Sequence, residues 1–434
     1  MTIDPLNQQQ NTSTIYGLEH QSRTLAPVQA GSDISDRVAF IVGTQSLKAA
    51  SNQICLLEYD EPTRHVTRRN WAHDVGEVWH LATSPSDPSI IATCYSSASA
   101  NRISPGCSVW RMNDAADGHT DLSAQSSGAG PRLKSIATIL DQGSRSCNSV
   151  LENVRRTTSF QWQPLSLIST DSVGAAASKA FLIADNIIAL YGPHSSADYS
   201  LIGHTSVDGK INSRLTHAAW SPHHNGNTLA VAHESQVHGY DIRSLGDGNN
   251  ERAWTLEGSP VHSPLVRCVD FNPNRQYYLA TAGDDCLIKI WDTRRSASPL
   301  TAIARSHSHW IWSVRYNPVH DQLLLSCSSD ARLVLHCASS HSSEVPVVSE
   351  ATKSFPKSDN SSTSGQDDDD DDDNDIDVGI VPDGIIRTYD EHEESVYCVE
   401  WSVADAWVFA SLSYDGRVII NKVPDSIKYT ILNI

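Results

Sequence analysis

The sequence predicts an all-β fold, a seven-bladed WD40 β-propeller with a disordered acidic insert between blades six and seven. Three observations predict it. A strand–turn–strand–tight turn–strand unit recurs seven times along 434 residues. Its clearest copies are offset by 45 residues, the step from Phe271 to Tyr316, which lies inside the WD-repeat period. Their apolar residues alternate with a period of two, as in Val266-x-x-Val269-x-Phe271, which is strand and not helix patterning. One four-stranded sheet cannot cover both its faces, whereas seven stacked radially cover one another and close a ring.

The units follow in order. The first has strands near 22–26, 38–43 and 53–58. The second uses 78–83, 90–95 and 108–110, with 112–131 as a Ser-, Gly- and Asp-rich loop within it. The third, the most divergent, uses 160–162, 181–184 and 187–191, and the fourth 218–220, 229–232 and 236–241. The fifth (265–271, 278–283, 287–292) and sixth (311–316, 324–328, 332–335) carry the Asn-Pro turn after the first strand and an Asp-bearing turn after the second. The seventh uses 396–401, 409–413 and 417–420. Either 15–19 or 428–434 is a candidate for the strand that closes the ring. The expected division is a disordered tail at 1–14, blades one to six over 15–337, the insert at 338–384 and the seventh blade at 385–434.

Hydrophobic residues make up 39% of the chain, enough for a sizeable interior. The net charge of −19 is concentrated: 338–384 holds thirteen Asp/Glu against two Lys, a net of −11, including seven consecutive Asp at 367–373. Such density of like charge resists packing and predicts disorder. The ligand spacing and Gly turn of a calcium loop are missing from it. Basic residues form short pairs such as Arg68-Arg69 and Arg155-Arg156 and no stripe, so a nucleic-acid partner is not expected. No apolar run approaches the roughly 18 residues of a membrane span, and the polar start reads as neither signal peptide nor anchor. The nine cysteines include no CxxC pair and fall mostly in strand patterns, which predicts reduced core thiols of a cytoplasmic protein and no zinc.

Ser, His and Asp recur together, but once per blade, as a structural device does and a single active site does not. His262, Thr281, Asp284 or Asp285, and Trp291 form one such candidate set, and His392, Ser411 and Asp415 another. Buried polar groups need such partners. With no nucleophile elbow, P-loop or HExxH, the chain is expected to be a non-enzyme without a cofactor or metal. A second pattern points to binding. The residue just after the first apolar position of each inner strand should face one end of the barrel. Alignment places Trp79, Thr158, Thr216, Arg267, Trp312 and Tyr397 there, and Trp, Tyr and Arg are the residues of protein-binding hot spots. A WDxR-like ending at Trp291-Asp292-Thr293-Arg294 and Tyr240-Asp241-Ile242-Arg243 resembles the signature of cullin–RING ubiquitin-ligase substrate receptors. Arg243 and Arg294 are its adaptor-binding candidates; Arg at this position also serves to pair with the neighbouring Asp.

Longer stretches carry a more specific resemblance. They include Val42-Gly43-Thr44-Gln45-Ser46-Leu47-Lys48, Gly76-Glu77-Val78-Trp79-His80, Trp220-Ser221-Pro222-His223-His224-Asn225, His307-Ser308-His309-Trp310 and Ala410-Ser411-Leu412-Ser413-Tyr414-Asp415-Gly416-Arg417. On these the chain resembles the family of WD-repeat proteins that interact with the EARP and GARP vesicle-tethering complexes. The resemblance implies a scaffold, monomeric itself, whose partners are subunits of those complexes. It implies a role in endosomal recycling and retrograde transport to the trans-Golgi network, with the chain peripherally held on endosomes and that network through its partners. It carries over no catalytic residue, and it weakens across 144–199 and at the acidic insert.

Overall fold

Long apolar runs such as Val38-Ala39-Phe40-Ile41-Val42 become strands buried on both faces, because a neighbouring blade covers each face of a middle strand. Outer strands meet solvent on one side and keep polar residues, as in His65–Ala72. The computed structural model describes residues 13–28, 37–99, 102–113, 131–141, 149–164, 179–195, 198–207, 213–246, 252–258, 260–344 and 381–434. It contains seven four-stranded antiparallel sheets.

The chain opens with β1 (Thr14–Gly17) and then builds blade one from β2 (Gln21–Pro27), β3 (Val38–Gln45), β4 (Gln53–Asp60) and β5 (His65–Ala72). Blade two is β6 (Glu77–Thr83), β7 (Ile90–Ser99), β8 (Arg102–Arg111) and β9 (Lys134–Asp141). Blade three is β10 (Thr157–Trp162), β11 (Ala180–Ala184), β12 (Ile187–Ser195) and β13 (Asp198–Ser206). Blade four is β14 (Leu215–Trp220), β15 (Thr228–His233), β16 (Gln236–Asp241) and β17 (Arg252–Thr255). Blade five is β18 (Val266–Phe271), β19 (Tyr278–Gly283), β20 (Ile288–Asp292) and β21 (Thr301–Ile303). Blade six is β22 (Ile311–Tyr316), β23 (Leu323–Ser328), β24 (Leu333–Cys337) and β25 (Gly384–Tyr389). Blade seven is β26 (Val396–Trp401), β27 (Val408–Ser413) and β28 (Arg417–Lys422), completed by β1.

The first strand of each blade lines the axis, and these inner strands neighbour one another around the ring. The core is divided between the blades: seven apolar clusters each join two adjacent sheets, from Ile41, Ile54 and Ile91 between blades one and two to Val42, Leu412 and Val418 between seven and one. Closure comes from the N-terminal candidate. Thr14 to Gly17 pair antiparallel with Ile420 to Arg417, and Leu18 N–H donates to the Gly416 carbonyl at 2.9 Å. The C-terminal candidate, 428–434, instead falls in helix α1 (Asp425–Leu432), which packs Ile427 and Ile431 on the cluster between blades six and seven.

The expected boundary at 385 needs correction. β25 pairs with β24, from Gly384 opposite Cys337 to Tyr389 opposite Leu333, so it is the outer strand of blade six. The acidic stretch therefore interrupts blade six between its third and fourth strands and does not separate blades six and seven. The physical reason is an offset: a sequence repeat starts with the outer strand of the preceding blade, so repeat and sheet boundaries differ by one strand. Residues 345–380, with the Asp run and the disorder expected for it, lie outside the described residues, as do residues 1–12 of the expected tail.

Among the described residues eight cysteines are free thiols, six of them buried, and burial pushes Cys55 and Cys398 up to about 12. Among the described residues no helix is long and apolar enough to cross a membrane.

Candidate protein-binding rim

Every inner strand carries a β-bulge at the same place. The register shifts between Ser22 and Thr24, Val78 and His80, Thr157 and Ser159, Leu215 and His217, Val266 and Cys268, Ile311 and Ser313, and Val396 and Cys398. A bulge leaves one residue outside the ladder and re-aims its side chain. The seven bulged residues are Arg23, Trp79, Thr158, Thr216, Arg267, Trp312 and Tyr397. Because all inner strands run the same way along the axis, the seven share one end of the channel. Six of them are the rim residues expected from the sequence. The seventh, Arg23, escaped sequence reasoning because the first unit lacks the Val-x-x-Val-x-Phe spacing; the signal present was the Ser22-Arg23-Thr24-Leu25 run ahead of β3.

Five of the seven form an arc of three rings and two cations. The Arg23 guanidinium lies 5.4 Å from the Trp79 ring centroid, 4.4 Å from Tyr397 and 5.0 Å from Tyr414. Tyr397 meets Trp312 at 4.8 Å between ring centroids, and Arg267 sits 4.5 Å from Trp312 and 5.2 Å from Trp310. Such cation–π contacts are worth about 0.5–2 kcal/mol each, so they hold the half-buried side chains in place. The Trp312 indole N–H donates to Ser329 Oγ at 2.6 Å. Trp310 is 42% exposed, so a large ring stands at the surface beside the arc. Thr158 and Thr216 do not join it. Their hydroxyls donate across to the next blade, to the carbonyls of Leu215 at 3.4 Å and Val266 at 2.6 Å.

Arg23, Trp79, Trp312 and Tyr397 also line the mouth of a cavity of about 350 Å³ that runs down the channel to Arg315 and Glu400. There Arg315 Nε donates to Glu400 Oε1 at 2.9 Å and its Nη1 lies 3.0 Å from Cys268 Sγ. Burial opposes the Arg315 charge, yet Glu400, Cys268 and Asp270 hold its pKa well above the usual range. Burial raises Asp270 to about 7, against the pull of Arg315 and of the Tyr316 amide, which donates to it at 2.8 Å. His80 and His217 are pushed down to about 3, first by burial and then by neighbouring charge, and stand neutral.

The polar sets lie elsewhere, inside the blades. His262 Nε2 meets Thr281 Oγ1 at 2.8 Å, its Nδ1 meets Asp285 at 2.7 Å, and the Trp291 indole donates to Thr281 at 2.9 Å. Of the two expected carboxylates, Asp285 belongs to the set; Asp284 instead pairs with Arg267 on the rim, at 2.5 and 3.0 Å. In blade seven His392 bonds Ser411 at 2.8 Å and Ser413 at 2.9 Å, and Asp415 enters through Ser413 at 2.5 Å. Two further sets were not singled out in the sequence. His73, Thr93 and Trp110 form one, with the Gly76 carbonyl in place of the acid. His307, Ser326 and Asp330 form the other, with His336 in place of Trp. Burial lowers the pKa of His262, and takes His73 and His392 to about 4, so these rings are neutral donors and acceptors at pH 7. Among the described residues no His/Cys/Asp/Glu group is arranged to hold a metal.

Arg243 and Arg294 follow β16 and β20 at the opposite end of the channel from the bulges. Each grips the Asp two residues before it, Arg243 Nη2 to Asp241 at 2.6 Å and Arg294 Nη2 to Asp292 at 2.7 Å. Both heads remain exposed, with the Arg294 guanidinium 4.4 Å from the Tyr277 ring centroid.

The chain matches the EIPR1 beta-propeller family over residues 10–126 and 171–336, and the WD domain, G-beta repeat, over 384–420. That second match begins with β25 and ends within β28, the offset between repeat and blade noted above. The chain is similar to EARP-interacting protein homolog of Gekko japonicus, at 38% identity over 96% of this chain and 98% of the relative. It is 37% identical to EARP and GARP complex-interacting protein 1 of Homo sapiens over 96% of this chain and 98% of the relative. EARP-interacting protein 1 of Caenorhabditis elegans is 32% identical, over 97% and 99% of the two chains.

Proposed function

The chain belongs to the EIPR1 beta-propeller family, and from that membership we propose that it is a non-catalytic scaffold whose bulge rim binds the EARP and GARP tethering complexes and supports their recruitment in endosomal recycling and endosome-to-Golgi transport. On this reading it is a cytoplasmic protein held on endosomes and the trans-Golgi network through its partners. The observation that supports the rim is the arc of Trp79, Arg23, Tyr397, Trp312 and Arg267. It presents large, partly buried rings and guanidinium groups side by side, which is the composition of an interface hot spot. The His–Ser/Thr–Asp sets do not compete for a catalytic role, since they repeat in several blades and are buried.

Affinity purification of the tagged chain from cytosol, read by mass spectrometry, tests the reading. Tether subunits should be recovered in near-constant ratio, and Trp79→Ala combined with Trp312→Ala should reduce that recovery while circular dichroism stays unchanged. Full recovery by the folded double variant would remove the rim from the proposal. A cullin adaptor recovered without tether subunits, and lost with Arg294→Ala, would favour the ligase-receptor reading instead.

A further inference from the structure

Four arginines converge on the bulge end of a chain whose net charge is −19. Arg23 and Arg267 are bulge residues, and Arg156 and Arg214 stand just before the inner strands β10 and β14, both exposed. Partial desolvation lowers the pKa of Arg156, Arg214 lowers it further, Asp185 pulls the other way, and Arg23 and Arg267 add to the repulsion, so the four guanidinium groups share one field that Asp185 offsets only in part. Arg267 alone is neutralised, by Asp284. Among the described residues Arg23, Arg156 and Arg214 form no ion pair. Asp185 and Glu234 stand across the ladder from Arg156 and Arg214, their amides donating to those residues' carbonyls, yet their carboxylates pair with none of the three arginines; Asp185 accepts from the Arg155 amide instead. Asp285 and Asp330 are turned inward to their histidines. Two buried donors on this rim also lack acceptors, Arg23 Nε and the Trp79 indole N–H. Buried donors without partners are uncommon in folded proteins, and each calls for an acceptor or another explanation.

We propose that the rim's occupant is an acidic peptide segment of a partner, its carboxylates taken by Arg156, Arg214 and Arg23 and its apolar side chains laid against Trp79, Trp312 and Trp310. This deepens the scaffold reading and rests on it. Guanidinium groups suit carboxylates through paired N–H donors, and the adjacent rings give a desolvated setting in which such bonds are stronger. The chain's own acidic stretch is the less favoured occupant. It leaves β24 and re-enters β25 at the end of the channel away from the bulges, because the third strand of each blade runs from the rim to that opposite end.

Fluorescence anisotropy on the full chain, with a labelled octa-aspartate peptide as probe, tests the assignment. Binding should weaken steeply with salt. Arg156→Glu with Arg214→Glu should weaken it at least about tenfold, the scale of losing charge-assisted bonds, while Arg243→Glu at the opposite end changes it little. Both residues of the pair are exposed, so the variant should fold. Equal loss from Arg243→Glu, or no loss from the rim pair, would overturn the assignment. So would a single-stranded oligonucleotide that binds as tightly and responds to the same variants. A several-fold gain on deleting 345–380 would give the rim to the chain's own acidic segment and not to a partner. If the peptide fails to bind while tether capture still depends on Trp79 and Trp312, the acidic occupant is wrong and the scaffold reading stands.

Discussion

Blades five and three solve the same packing problem with different chemistry. In blade five the centre of the sheet is polar: Thr281 on β19 accepts from the Trp291 indole and donates its hydroxyl to His262 Nε2, and Asp285 accepts from the far side of the imidazole. Aligning the two blades on their bulges places Leu182 at the position of Thr281, Phe160 at that of Val269 and Tyr191 at that of Trp291. With Leu in place of the hydroxyl, no hydrogen-bond partner remains for a histidine. Leu151 and Val154, ahead of β10, fill the space as part of a wholly apolar cluster. The polar set is thus one way to pin a blade, and a larger apolar plug is another.

The comparison breaks most sharply at the plug. Phe160 is fully buried, and its ring meets Trp162 edge-on at 5.0 Å. Phe160→Ala should cost about 3–5 kcal/mol, the range for emptying an aromatic site in a core. Thermal or urea unfolding would show it. A loss under about 1 kcal/mol would mean that blade three is held by its backbone ladder and not by the plug.

His262→Ala attacks the alternative device. It leaves Thr281 and Asp285 without their shared partner in a buried place, and about 2–4 kcal/mol should be lost by the same measurement. Leu182→Thr tests the converse, since it inserts a hydroxyl where no histidine waits and should destabilise by about 1–3 kcal/mol.

These differences also explain what could be read from the sequence. The first three strands of blades five, six and seven were legible, and in blades five and seven the polar sets impose fixed residue types at fixed spacing, such as His392 and Ser411. Blade three kept only its period of two, since any well-fitting apolar residue serves a plug. The outer strands were the least legible. β25, half exposed and short, carries no constraint beyond pairing with β24, and its membership of blade six appeared only through that register. On the rim, the bulge positions followed the inner-strand pattern and so were visible. The capping role of Thr158 and Thr216 was not, because it depends on which carbonyl of the next blade stands opposite.

Acid should separate the two designs further. Burial holds His73 and His392 at about 4 and His336 at about 3, against 6.5 for a free imidazole. The folded pKa is depressed, so the unfolded chain takes protons first. Stability is complete above about pH 6.5 and falls as pH drops toward 4, by up to about 1.4 kcal/mol per pH unit for each such histidine. Urea titrations across that window should show the slope, and His392→Gln should flatten it. Hydrogen exchange should report the earliest acid opening in blades two, six and seven, with the centre of blade three protected longest.

The smallest effect is expected where blade three does use a polar bond. The Trp162 indole N–H donates to Tyr199 Oη at 2.9 Å, tying the inner strand to β13. Tyr199→Phe removes only the acceptor and keeps the ring, so the cost should be about 1 kcal/mol, the net worth of one partly buried hydrogen bond. If blade three is pinned by apolar packing, this loss should be independent of pH from 7 to 5 and should add to that of Phe160→Ala only partially, because both residues contact Trp162. A loss as large as that of His262→Ala would instead mean that one polar bond governs blade three as the set governs blade five.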